Sequence, residues 1–275
     1  PRERGVYALD PAAFLAGGFR EAAAALRGAR PLDAAAGVAA LRDRGLLQEV
    51  RAGLFVFEAF TAEFCDLLEA ELAHFAASGL PSAAPNTMNR HGVILSELGL
   101  ADGLVAPLVR DWIDPLAAVL LPEHTRGLDS FRAFTVLYEA ADGGDRDLAL
   151  HYDNAEVTLN INIGGDWSGG EIEFHGLATE PEVPGDVPSV VPLRRGWGVL
   201  HAGLDLHRAR PIDSGRRHNL VIWCRSSGVR NQRCPMCLDE PRVLPTNRFG
   251  AEGFSAPPCR LSDAAWEPGV RELFA

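Results

Sequence analysis

Val157-Thr158-Leu159-Asn160-Ile161-Asn162-Ile163 alternates without a break between an aliphatic residue and a small polar one. Successive side chains of a strand point to opposite faces, so this run reads as a strand with one apolar face and one face of hydroxyl and amide groups. Further strands are predicted around it at Arg132 to Glu139, Glu171 to Phe174, Gly198 to His201 and Asn219 to Arg225, separated by Gly, Pro, Asp and Ser. Upstream the period changes. The alanine-rich stretch Asp10 to Arg27 reads as a helix. Thr61 reads as the N-cap of a second helix, whose Phe64, Leu67, Leu68, Leu72 and Phe75 share one face until Gly79 and Pro81 stop it. A third, Ala101 to Leu120, ends before Pro122. Helices followed by a run of short strands make an α+β chain in which helices back a β-sandwich or barrel. The expected organisation is a helical N-terminal extension over 1–50, a helix-backed β domain over 51–226 containing a loop from Glu180 to Pro192, and an irregular tail over 227–275 packed on that domain.

Composition removes several function classes. The 275 residues include 37 acidic and 26 basic side chains, for a formal net charge of −11, and every one of the 26 is arginine. A chain without lysine has no Walker A lysine, no pyridoxal-phosphate Schiff base and no lysine nucleophile. Its acidity argues against binding a phosphate backbone, so nucleic acid is not an expected partner. The most apolar stretch, Val105 to Leu121, is interrupted by Arg110, Asp111, Asp114 and Pro115. That falls short of the roughly 20 residues of a membrane span, so no membrane partner is expected. Cys65, Cys224, Cys234, Cys237 and Cys259 are too few and too uneven for a disulfide framework, which favours a reducing compartment, with the cytoplasm as the expected location. The chain does not begin with Met, which leaves a removed targeting segment open.

The chemistry concentrates at His151-Tyr152-Asp153, at the end of the apolar approach Leu148-Ala149-Leu150. Residues i and i+2 of an extended chain share a side, so an imidazole and a carboxylate can converge there on one ion. His207 and His201 compete for the third ligand. Ten residues beyond His207 stands Arg217, whereas ten beyond His201 stands Pro211, which offers no cation. A β-hairpin turning at Asp213-Ser214-Gly215 would set Arg217 across from His207. Two His and one carboxylate leave three positions open on an octahedral metal, the arrangement of non-haem Fe(II) oxygenases. A dicarboxylate chelating such a metal through one end leaves the other for the guanidinium fork of an arginine. Zinc hydrolysis could use the same ligands but gives Arg217 no role, and a halogenase would lack Asp153. A silent binding module would be expected to have lost one of the four.

His151-x-Asp153, His207 and Arg217 ten residues later resemble the prolyl and lysyl hydroxylase-type Fe(II)/2-oxoglutarate dioxygenases. Further segments are similar to the family called 2-oxoglutarate and iron-dependent oxygenase domain-containing protein 2: Asn154-Ala155-Glu156-Val157-Thr158-Leu159-Asn160, Trp167-Ser168-Gly169-Gly170-Glu171, Leu200-His201-Ala202-Gly203, Pro85-Asn86-Thr87-Met88-Asn89 and Gly92-Val93-Ile94-Leu95. The likeness runs from about Gly53 to Arg225. It implies a double-stranded β-helix of jelly-roll or cupin type with supporting N-terminal helices, and a dioxygenase domain over 51–226. By the same resemblance His151, Asp153 and His207 bind Fe(II), Arg217 binds the far carboxylate of 2-oxoglutarate, and Tyr138 shares that carboxylate, although Ala140 to Asp147 lengthens the usual spacing to His151. The implied reaction consumes 2-oxoglutarate and O₂, releases succinate and CO₂, and hydroxylates a C–H bond of a peptidyl side chain such as Pro or Lys, or of an amino-acid-like small molecule. Ascorbate is an accessory ligand that the resemblance allows. A silent binding module and a non-hydroxylating oxidase of a small natural product are the alternatives.

Other polar residues are less committed. Asn160 and Asn162 either satisfy each other or point into the barrel, where Asn160 is a cosubstrate-binding candidate. His175 and His218 read as structural or exposed. Arg208, Arg210, Arg216, Arg225, Arg230 and Arg233 form either a solvated face with scattered ion pairs or a substrate-binding surface. Cys234-Pro235-Met236-Cys237 has the spacing for two zinc ligands, which Cys224 and Cys259 would have to complete; reduced thiols or a redox pair are the other readings.

Overall fold

The computed structural model describes residues 1–28, 31–177, 187–234 and 240–246. The strands are β1 (Gln48–Arg51), β2 (Leu54–Glu58), β3 (Ser130–Glu139), β4 (Leu148–His151), β5 (Val157–Gly169), β6 (Ile172–Leu177), β7 (Ser189–Val191), β8 (Trp197–Ala202), β9 (Asp205–Ala209) and β10 (Ile212–Arg225). They form a six-stranded sheet of order β1-β2-β8-β5-β10-β3 and a four-stranded sheet of order β4-β9-β6-β7, antiparallel throughout. From β3 to β10 the chain crosses from one sheet to the other at each step except between β6 and β7, which pair with each other. That path is the winding of a double-stranded β-helix.

The alternation in β5 decides which way the larger sheet faces. Val157, Leu159, Ile161 and Ile163 join Leu220 and Ile222 of β10 in one core with the helices, contacting the layer that contains Phe14, Phe19, Phe64 and Leu68. Phe14 stacks on Phe64 at 4.6 Å, and burial of each such ring contributes on the order of 2 kcal/mol. Thr158, Asn160 and Asn162 are left on the opposite side, toward the smaller sheet. The 1–50 segment takes part in the same core through Val6, Phe19, Leu26 and Leu47.

Local signals set the helices. Asp10 accepts from the amides of Ala12 and Ala13, and Thr61 accepts from that of Phe64, so both act as N-caps. The expected single helix over Asp10 to Arg27 is two, Pro11–Phe14 and Gly17–Leu26. The break comes where Leu15 bridges Phe60 and the Ala16 amide bonds to the Ala59 carbonyl, hydrogen bonds to the end of β2 that a continuous helix would forgo. The third helical stretch alternates π and α turns as Ala101–Val105, Ala106–Leu108, Val109–Ile113 and Asp114–Leu120, with Pro107 and Pro115 each removing a donor from the ladder. The expected loop from Glu180 to Pro192 contains β7, which supplies an edge to β6.

The expected hairpin does not form. β9 pairs with β4 and β6, while β10 pairs with β5 and β3, so the turn at Arg210-Pro211 carries the chain between sheets. Proline at this point has no amide to give to a continuing ladder. Arg217 therefore stands across from Tyr138 and Gly165, not His207. In the tail, Ser227–Arg230 is a short helix and Thr246 bridges Ser130.

Candidate metal centre and cosubstrate cleft

His151 closes β4, and Asp153 follows in a loop held from the main chain. The Asp153 amide donates to the Gly203 carbonyl at 2.8 Å, and the Gly203 amide donates to the Glu156 carbonyl at 3.0 Å. A Cβ at Gly203 would come within 1.9 Å of the Ala155 carbonyl oxygen, so this close approach requires glycine. His207 lies directly opposite His151 in the β4–β9 register. The result is a cluster of His151, Asp153 and His207 whose ligand atoms all lie within 4.8 Å of one another, each side chain buried. Asp153 Oδ1 is 3.6 Å from His151 Nε2 and 3.9 Å from His207 Nε2.

The donors are preset for a cation. His151 Nδ1 donates to the Ala149 carbonyl at 2.8 Å and His207 Nδ1 to the Asp205 carbonyl at 2.7 Å, so each ring turns the lone pair of its Nε2 inward. Burial, reinforced by His151, pushes the His207 imidazole down to about 3, so it is neutral and able to ligate at neutral pH. Burial opposes the charge on Asp153, yet His207 and His151 outweigh it and hold the carboxyl well below the usual carboxylate range. Thr158 Oγ1 donates to Asp153 Oδ2 at 2.7 Å and leaves Oδ1 for the centre. Two imidazoles turned inward through Nε2 and one carboxylate, with their second atoms tied down, suit Fe(II).

His201 stands behind this set. It is fully buried, its Nδ1 donates to the Ala202 carbonyl, and its Nε2 lies 4.0 Å from Asp153 Oδ2, the oxygen turned away from the other two histidines.

The three residues open into a cleft whose wall also contains Tyr138, Asn160, Arg217, Trp223 and Met88. Arg217 is 1% exposed. Its guanidinium lies 4.5 Å above the centre of the Tyr138 ring, and Nη1 donates to the Gly170 carbonyl. Gly170 has φ +72°, a conformation that favours glycine. Arg217 Nε has no hydrogen-bond partner; Tyr138 contacts the guanidinium and Glu171 acts on its charge from further off, but among the described residues no carboxylate forms an ion pair with it. Burial lowers its pKa, but an arginine stays charged. The long Ala140 to Asp147 connection does not displace Tyr138, because Asp145 folds back to bridge it and is fixed by Arg90.

The remaining candidates divide. Asn160 lines the cleft, while Asn162 is fully buried. They are not bonded to each other but are joined through Asn219. Arg208 and Arg210 converge on buried Glu173, which His175 also contacts, and Arg230 pairs with Glu156 inside the protein, so three arginines of the basic region are spent on ion pairs with buried carboxylates. Cys224 lies in the helix-facing core, where burial pushes its thiol up, and Cys234 accepts from Arg230 at 3.4 Å. Cys237 and Cys259 lie outside the described residues. Alternation already puts Thr158 on the polar face of β5, but its bond to Asp153, and the place of Asn219 beside Asn160 and Asn162, register only once the strands are paired.

Residues 1–126 match the model of the OGFOD2-like domain family. The 2-oxoglutarate and iron-dependent oxygenase domain-containing protein 2 of Mus musculus is 48% identical over 197 residues, 71% of this chain and 55% of that protein. Its Homo sapiens counterpart is 46% identical over 221 residues, 77% of this chain and 61% of that protein. The chain is similar to these 2-oxoglutarate and iron-dependent oxygenase domain-containing proteins over most of its own length. It spans little more than half of the length of these relatives. Among solved structures, a Pseudomonas putida prolyl-4-hydroxylase is similar at 17% identity and a TM-score of 0.46, covering 64% of this chain and 94% of that one. In this oxygenase homologue no described helix is long and apolar enough to cross a membrane.

Proposed function

We propose that the chain is an Fe(II)- and 2-oxoglutarate-dependent dioxygenase that hydroxylates a C–H bond, with a peptidyl side chain or an amino-acid-like small molecule as substrate. The observation that carries this reading is the buried guanidinium of Arg217, without a carboxylate partner, in the same cleft as His151, Asp153 and His207. A buried cation needs an anion. A dicarboxylate supplies one at Arg217 and a second for the metal, which neither zinc hydrolysis nor a silent module accounts for.

His151 Nε2, Asp153 Oδ1 and His207 Nε2 would hold the iron, and Arg217, braced by Tyr138, would hold the far carboxylate of 2-oxoglutarate. When bound, the metal supplies activation of O₂ coupled to loss of CO₂ from the cosubstrate. The chain's own residues do the rest. The Nδ1 bonds to Ala149 and Asp205 keep both imidazoles in one tautomer, Thr158 holds one oxygen of Asp153 back, and Trp223, Met88 and Phe134 wall the cleft with apolar surface that limits water.

The deciding experiment is an anaerobic titration of 2-oxoglutarate into Fe(II)-loaded protein, followed by the metal-to-ligand charge-transfer band, then admission of O₂ with assay of succinate. A band that saturates, followed by stoichiometric succinate, is the expected result. Absence of a band in the wild-type protein removes the proposal.

A further inference from the structure

Three asparagines on the inward faces of β5 and β10 form a chain whose amide orientations are fixed from one end. Asn162 Nδ2 lies 3.2 Å from the Gly164 carbonyl and 3.1 Å from the His218 carbonyl. Both are pure acceptors, so the atom facing them is the nitrogen. That nitrogen also lies 3.2 Å from Asn219; its two hydrogens are shared among three acceptors, and an oxygen, Oδ1, is favoured there over a second nitrogen. The other end of the Asn219 amide is then Nδ2, 2.8 Å from Asn160, and an oxygen is again favoured opposite it. Each amide sets the next, and the last one, Asn160, is left with its Nδ2 pair of donors. Asn160 lies on the cleft wall, and no described residue accepts from that nitrogen.

Its height in the cleft is set by register. On β5, Thr158 touches the Asp153 ligand, and Asn162 lies opposite Asn219, two residues along β10 from Arg217. Asn160 sits between them, about 7 Å from each level at the strand rise of about 3.3 Å per residue. An elongated dicarboxylate with one end on the metal and the other at Arg217 passes that level.

Resting on the reading given under Proposed function, we propose that the Asn162–Asn219–Asn160 relay presents Asn160 Nδ2 as a hydrogen-bond donor to the metal-chelating 2-oxo acid end of the cosubstrate. Asn160 is the contact residue; Asn162 and Asn219 are positioning residues that keep its donor, and not its oxygen, turned to the anion. The backbone carbonyls of Gly164 and His218 act as the fixed reference.

The test is calorimetric titration of Mn(II)-loaded protein with two probes: 2-oxoglutarate, and 2-oxobutyrate, which keeps the chelating end and lacks the far carboxylate. Asn160→Leu removes the donor. Asn219→Asp keeps the acceptor for Asn162 but offers Asn160 an oxygen, which inverts the Asn160 amide and turns its oxygen to the cleft. Both variants are expected to bind both probes about tenfold more weakly than wild type, by a similar factor for each, from the loss of one hydrogen bond to a charged acceptor. Arg217→Ala is expected to weaken 2-oxoglutarate while leaving 2-oxobutyrate unchanged. Mn(II) stoichiometry and thermal midpoint separate misfolding from lost contact, and Asn160→Ser serves as a smaller truncation should Asn219→Asp fail to fold. Wild-type affinity in Asn160→Leu, or a loss confined to 2-oxoglutarate, overturns the inference. Failure of the wild-type protein to bind 2-oxoglutarate overturns the dioxygenase reading and this inference with it.

Discussion

The two ends of the cleft are built on different principles. At the metal end the residues come from short pieces, the four-residue β4, the loop after it and the five-residue β9, and each side chain is aimed by a nearby carbonyl or hydroxyl. At the far end Arg217 and Tyr138 belong to two long strands, β3 and β10, paired over ten consecutive residues without a register shift. Precision at the first end comes from local hydrogen bonds. At the second it comes from a ladder too long to slip, since a one-residue slip would turn Arg217 to the helix side. The ends should therefore fail in separate ways.

The largest separation is expected from the ligands. Replacing His151, Asp153 or His207 by Ala should abolish tight Mn(II) binding, because a two-ligand site loses both affinity and geometry. His201→Ala should keep metal binding. Equilibrium dialysis decides the matter, and metal retained in His207→Ala but lost in His201→Ala would exchange the roles of the two histidines.

Next comes Arg217→Ala. Truncating one partner of a buried charge pair costs about 3 kcal/mol, on the order of a hundredfold in 2-oxoglutarate affinity. Metal content should not change, because Arg217 is not a ligand. A variant that loses metal as readily as cosubstrate would mean that the two ends are one cooperative unit and would break the comparison.

Thr158→Val is a smaller cut at the metal end. It frees Asp153 Oδ2 from its hydroxyl partner, and loss of such an outer contact typically lowers metal affinity by about tenfold or somewhat more. Competition with a chelator measures this. An unchanged affinity would place the aim of Asp153 in the main-chain bonds around Gly203 instead.

The last expected effect is on folding stability and not on affinity, and it is in pH. His207 titrates near 6.5 in an unfolded chain and at about 3 in the native one. Between those values the unfolded chain binds a proton that the native chain does not, so stability rises with pH through this window. The contribution is complete above about 6.5 and is lost as pH falls toward 3, at up to about 1.4 kcal/mol per pH unit. Asp153, held low, adds a loss of the same sign as pH falls below the ordinary carboxylate range. Urea unfolding of the metal-free protein from pH 4 to 7 should show this slope in wild type and a shallower one in His207→Ala. Arg217→Ala should leave it intact.

Much of the metal end is legible without any knowledge of the fold. An i, i+2 pair in an extended segment points to one side whatever surrounds it, so His151 and Asp153 converge on local geometry alone. The strict alternation of Val157 to Ile163 likewise fixes which residues of β5 face helices and which face the second sheet. The third ligand is another matter. Both His201 and His207 end apolar segments, and sequence separates them only by the residue found ten positions further on, a distance along the chain that says nothing about convergence.

The hairpin expected at Asp213 to Gly215 shows the limit most clearly. Turn chemistry there favours a bend, but which strands pair is settled by competition among all the edges available, and β5 and β3 offer β10 longer ladders than β9 could. The same competition divides the Asp10 to Arg27 helix, because hydrogen bonds to Ala59 and Phe60 outweigh local alanine propensity. Residue type and short-range periodicity thus determined the donors, the facing of the central strand and the absence of lysine chemistry. Tertiary structure alone decided that Arg217 sits on Tyr138 without a carboxylate partner, that Thr158 backs Asp153, and that Asn162, Asn219 and Asn160 share one line of amides. Each of those depends on contacts between segments far apart in sequence, whose energies are set by register and burial and leave no mark in local composition.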